Sequence, residues 1–101
     1  MSIEKNISGD DHELLVQGRV DGALANALEV EVLSAMRAGA KAIYLNFANA
    51  SFLCSAAIRV VMQYHRQMKT QGKKLLISRV SPEVDSILEM TGFRDLIVEK
   101  T

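Results

Sequence analysis

Apolar residues recur along this chain at two spacings, every second position or every third to fourth, and the switches between them predict the order of its elements. Ile3 to Ile7 reads as a short edge strand, closed by Gly9-Asp10-Asp11, residues that favour a tight turn. Glu13-Leu14-Leu15-Val16-Gln17-Gly18-Arg19-Val20 resumes in extended form, so the two runs predict a β-hairpin. Asp21 and Gly22 stop the strand and can cap a helix, in which Leu24, Leu28, Val32 and Ala35 share one face while Asn26, Glu29 and Arg37 fall on others. Gly39 closes that helix at the position that tolerates positive φ. Ala42-Ile43-Tyr44-Leu45-Asn46-Phe47 is apolar almost throughout, the pattern of a strand covered on both faces, with helices as the cover.

The second half repeats the alternation of strand and helix. From Ala56 to Lys69 the spacing is helical: Ala57, Val61, Tyr64 and Met68 form an inward row with Val60 beside it, and Arg59, Gln63, Arg66 and Gln67 take the outer face. Between the strand and this helix the chain must turn, through Ser51-Phe52-Leu53-Cys54, and Ser55 stands where an N-cap is expected. Gly72 ends the helix, and Lys69, Lys73 and Lys74 cluster at that end, where positive charge complements the helix dipole. Leu75-Leu76-Ile77-Ser78 is the next strand. Ser81-Pro82 then predicts a helix start, with Ser81 as N-cap, Pro82 at the first helical position and Glu83 and Asp85 in an acidic first turn. Val84, Ile87, Leu88 and Thr91 give its buried stripe, Gly92 its end, and Leu96-Ile97-Val98-Glu99 a last short strand. Strand–helix–strand steps favour right-handed crossovers and parallel pairing, and the initial hairpin supplies an antiparallel part. The expected fold is therefore α/β, a mixed sheet with helices packed on it.

Composition narrows the function classes. A length of 101 residues without a Pro- or Ser-rich linker fits one domain over residues 1–101. Twelve basic residues against twelve acidic ones leave no net charge, so no long-range attraction favours nucleic acid or an acidic membrane surface. The single cysteine excludes an internal disulfide and a CxxC zinc site, and His12 and His65 do not make up a ligand set. The first residues lack the apolar core of a signal peptide and no apolar run approaches a bilayer span, so a cytoplasmic protein without membrane insertion is expected. Paired carboxylates, a Ser-His-Asp set and a phosphate-cradling glycine loop are missing, which argues against an enzyme and implies no cofactor. Nucleotide binding through the backbone donors of an exposed helix start is the remaining small-molecule reading.

Three segments resemble the STAS domain of the bacterial anti-sigma-factor antagonist type: Val16-Gln17-Gly18-Arg19-Val20-Asp21, the stretch from Leu45 to Ile58, and Val80-Ser81-Pro82-Glu83-Val84 followed by Ile87-Leu88-Glu89-Met90-Thr91-Gly92-Phe93. The resemblance covers nearly the whole chain and implies a sheet of four or five strands with helices largely on one face. It also implies a module that docks on an anti-sigma factor or related serine kinase and is released when that kinase phosphorylates the turn before the second helix. Aligned on that turn, Cys54 replaces the family's aspartate, Ser55 matches the first hydroxyl, Ala56 occupies the usual acceptor position and Ala57 replaces the glycine. Ala56 has no oxygen to phosphorylate, so phosphoregulation is expected to be weakened or lost.

Each residue singled out has a functional and a structural reading. Ser55 is a candidate displaced phosphoacceptor or a plain N-cap. Cys54 is a thiol activated by a helix start or a small buried hydrophobe. Arg59, Gln63 and Arg66, with Ser51, Cys54 and Ser55, form the candidate partner-binding surface, against the alternative of an ordinary solvated face. His65 reads as structural. The first function is thus a non-enzymatic binding module of a partner-switching circuit. The alternative is a phosphorylation-independent STAS subunit of a larger assembly, such as a lipid-transport ATPase complex or a signalling scaffold.

Overall fold

The predicted hairpin forms between β1 (Ser2–Ser8) and β2 (Asp11–Val20), antiparallel, with Asp11 inside the second strand and Gly9 at the turn. The structure, a computed structural model, describes residues 2–93. After the hairpin come α1 (Gly22–Arg37), β3 (Ala42–Phe47), β4 (Ala50–Leu53), α2 (Ser55–Thr70), β5 (Lys74–Val80) and α3 (Pro82–Thr91). The strand expected at Leu96-Ile97-Val98-Glu99 falls outside the described residues. The α/β reading holds: five strands make a mixed sheet in the order β1-β2-β3-β5, and β4 joins it beside β2.

Pairing explains how one strand serves two neighbours. Asp11 to Leu15 of β2 pair in parallel with β3, and Gly18 to Val20 pair in parallel with β4. The register shifts between Gly18 and Arg19, and Gly18 has φ +94, backbone that a side chain rarely tolerates. A bulge there bends β2 from one partner to the next. β4 itself is a correction to the sequence reading, which expects only a turn through Ser51-Phe52-Leu53. Four residues are too few to show a period, and what makes them a strand is the bent end of β2 beside them.

The core lies on one side of the sheet. Leu14, Ile43, Leu45, Phe47, Leu75 and Ile77 are fully buried, and the inward rows of α1 (Leu24, Leu28, Val32, Ala35) and α2 (Ala57, Val61, Tyr64, Met68) join them in a single apolar cluster. Each large side chain so buried contributes roughly 1.5–3 kcal/mol. The helical rows are those the spacing predicts, with two departures. Thr91 is exposed, its hydroxyl donating to Ile87 O at 2.8 Å, and Ile87 is only half-buried. The expectation that β3 is covered on both faces also fails, because Tyr44 and Asn46 are half-buried. That face carries a polar net in which Asn6 and Asn46 donate to the Glu13 carboxylate at 3.4 and 3.2 Å.

Candidate functional site

The segment from Asn46 to Arg66 is shaped by local hydrogen bonds before any surface property is considered. Asn46 ends β3 by accepting the Ala48 N–H on its side-chain oxygen at 3.0 Å, a turn of the kind asparagine favours. The chain re-enters the sheet when Gly18 N–H donates to Asn49 O at 3.0 Å, and β4 closes with Cys54 N–H donating to Val20 O at 3.0 Å. Arg19 and Phe52 are register partners across β2 and β4, and the guanidinium lies 4.2 Å from the ring centroid. Such a pair is favourable by roughly 0.5–1 kcal/mol at an exposed site. Sequence reading misses it because the strand holding Phe52 is too short to be recognised.

Among the described residues, three helices begin at the same edge of the sheet, after the C-terminal ends of β2, β4 and β5. Two have a side-chain cap. Asp21 Oδ1 accepts the Leu24 N–H at 3.0 Å, and Ser81 Oγ accepts the Val84 N–H at 3.1 Å, both as the sequence predicts. α2 differs. Its N-cap is Cys54, extended at φ −77 and ψ 168, with no side-chain capping bond and no acidic residue in the first turn. Ser55 is the first helical residue, so its assignment as N-cap is corrected. Because β4 continues through Leu53 and Val20 O takes the Cys54 amide, extended backbone ends one residue earlier than the spacing suggested. The first backbone bond runs from Ile58 N–H to Cys54 O at 3.2 Å.

Of the sequence candidates, Ser55, Arg59, Gln63 and Arg66 follow one another at helical spacing along α2, and Ser51 belongs to β4. Ser51, Ser55, Arg59, Gln63 and Arg66 are exposed, Cys54 and Ala56 are half-buried, and Ala57 is buried. Cys54 packs against the apolar cluster but is only half-buried, short of the full burial expected of it. The side-chain hydrogen bonds that hold α2 lie along its body, while its start is held by apolar packing. Tyr64 OH donates to Glu29 Oε2 of α1 at 2.7 Å, and that hydrogen bond, helped by burial and by the nearby negative charge, raises the phenol above its ordinary pKa of 10.0. His65 has Nδ1 2.9 Å from Leu75 O; a carbonyl only accepts, so this nitrogen carries the proton and the ring is a structural tie to β5. Among the described residues no cluster of His, Cys, Asp or Glu could hold a metal ion, and no helix is long and apolar enough to cross a membrane.

Comparison with known proteins bears on the chain as a whole. The family model described as STAS domain matches residues 2–101. An anti-sigma-B factor antagonist of Staphylococcus aureus is 31% identical over 98 residues, covering 96% of this chain and 90% of the relative. Among solved structures, the unphosphorylated form of the anti-sigma factor antagonist SpoIIAA superposes with a TM-score of 0.85 at 18% identity, over 99% of this chain and 89% of the other. The phosphorylated form of the Bacillus cell fate determinant SpoIIAA gives 0.78 at 17% identity, over 99% and 92%. At these identities the structural likeness is one of fold.

Proposed function

We propose a function from one premise: the chain belongs to the STAS domain family. It is a non-enzymatic docking module, anti-sigma-factor antagonist-like, that holds an anti-sigma factor or related serine kinase through the strip from Ser51 to Arg66. Its release by phosphorylation is weakened or lost. Family membership supports docking, and what supports weakened release is Ala56, in the first turn of α2, which the resemblance of this turn aligns with the family's acceptor hydroxyl. A phosphate there would bring up to two negative charges to the docking surface, and a methyl group brings none. Ser55 is the neighbouring hydroxyl, exposed and free of a capping role, and is the remaining candidate acceptor.

The test is capture of partners from a lysate of the native host, with bound proteins and the phosphorylation state of Ser55 read by mass spectrometry. Recovery of a kinase-like anti-sigma partner supports the reading. Recovery of transporter or scaffold subunits instead would replace it with the constitutive-subunit alternative. With the kinase in hand, Ala56→Ser is expected to restore labelling by ATP and to loosen the complex. A substituted protein that is labelled and still held as tightly would remove phosphorylation from the account.

A further inference from the structure

The balanced net charge conceals a segregation along the chain. No Asp or Glu occurs between Glu31 and Glu83, whereas eight Lys or Arg do. Folding gathers most of them on α2 and the strand after it. Arg59, Arg66 and Lys69 are exposed along α2, and Lys74 is exposed at the start of β5 with Lys73 half-buried before it. Lys73 N–H donates to Met68 O at 2.9 Å, and the His65 contact to Leu75 O ties the same two elements, so Lys69, Lys73 and Lys74 gather at the C-terminal end of α2, the helix along which Arg59 and Arg66 are exposed. None of them makes an ion pair among the described residues, where the salt bridges are Lys5 to Glu31 and Lys41 to Asp10.

Lys69, Lys73 and Lys74 have a local reason, the negative end of the α2 dipole. Arg59 and Arg66 have none. Arg59 lies near the positive end, in a helix without a first-turn acid, and the two arginines are seven residues, about 10 Å, apart on one line of the helix with Gln63 between them. We infer that this face of α2 docks an acidic helical segment of a partner protein, whose carboxylates recur at one- or two-turn spacing to meet the two guanidinium forks. The inference rests on the docking function proposed above and gives its partner a chemistry. Arginine suits that role because its planar fork takes a carboxylate in two hydrogen bonds. Single-stranded nucleic acid is less suited, since α2 presents no exposed aromatic ring for stacking. A membrane surface is less suited too, because the exposed large apolar residues, Ile7, Val30 and Met90, lie on other elements.

The experiment is a titration of the full chain with a fluorescein-labelled helical peptide carrying Glu at one-turn intervals, beside its all-Gln counterpart. Preference for the Glu peptide is expected, weakening with added salt and falling roughly tenfold or more in Arg59→Glu/Arg66→Glu. Arg59→Gln/Arg66→Gln should fall in the same direction by less, a check that reversal has not simply unfolded the helix. Equal binding of both peptides, or Glu-peptide binding untouched by the substitutions, would overturn the inference. So would tighter arginine-dependent binding to duplex RNA or to phosphatidylserine vesicles. Capture of the kinase by the doubly reversed protein would overturn it while leaving the docking function standing. If the unsubstituted chain captures no kinase, the docking function falls, and the peptide titration still decides whether this face prefers carboxylates.

Discussion

α2 and α3 start at the same edge of the sheet and are fixed by opposite means. α3 is fixed at its first turn: Ser81 Oγ accepts from Val84 N–H and donates to Ala50 O at 2.6 Å, inside the protein, while Ser81 N–H donates to Phe47 O at 3.1 Å. α2 has nothing of this at its first turn and is fixed farther along, by Tyr64 to Glu29 and His65 to Leu75. The difference teaches that a helix start held only by apolar packing leaves its outward polar side chain free for contact. In this chain that side chain is Ser55, while Ala56 and Ala57 lean on the core.

The comparison can be broken most severely at Ser81. Ser81→Ala removes a cap and leaves the buried Ala50 carbonyl without its donor, so urea unfolding should report a loss of about 3 kcal/mol. Next comes the body of α2. Tyr64→Phe should cost about 1.5 kcal/mol at neutral pH, as expected for a hydrogen bond to a charged group. Because the folded phenol titrates above its unfolded value of 10.0, its contribution is full below about pH 10 and is lost as pH rises through the folded value. Stability of the two proteins measured against pH should therefore converge in strong alkali; a constant gap would show that Glu29 does not hold the neutral phenol.

The two remaining substitutions sharpen the contrast at the α2 start. Cys54→Asp supplies the missing cap and should add about 1 kcal/mol, visible as a higher urea midpoint with unchanged slope. Ser55→Ala should change stability by no more than about 0.5 kcal/mol, because the hydroxyl caps nothing. A loss of about 1 kcal/mol would return Ser55 to the N-cap role that its sequence position suggests.

How far the sequence is legible depends on the range of the forces involved. Asp21 and Ser81 are legible as caps because capping is settled within three residues. The inward rows of α1 and α2 are legible because a helix carries its own period. β4 is not, since Ala50-Ser51-Phe52-Leu53 owes its conformation to Gly18 to Val20, some thirty residues earlier, and with it go the N-cap at Cys54 and the Arg19–Phe52 pair. Tyr44 misleads for a different reason. An aromatic ring counts as apolar in a pattern, yet its hydroxyl lets it sit half-exposed beside the polar net of Glu13 and Asn46.

The bulge at Gly18 also bears on the order of folding. The hairpin of β1 and β2 closes a turn of two residues, whereas β4 can pair only after α1 and β3 have been threaded between it and β2, a closure that costs more chain entropy before any contact rewards it. β3 bears the same closure cost but is paired on both sides, whereas β4 has four residues and β2 as its one sheet neighbour among the described residues, so β4 is the more easily opened. In native-state hydrogen exchange the Cys54 amide, bonded to Val20 O, should exchange through a smaller opening than amides of β3, so the strip can loosen while the sheet beneath it stays folded.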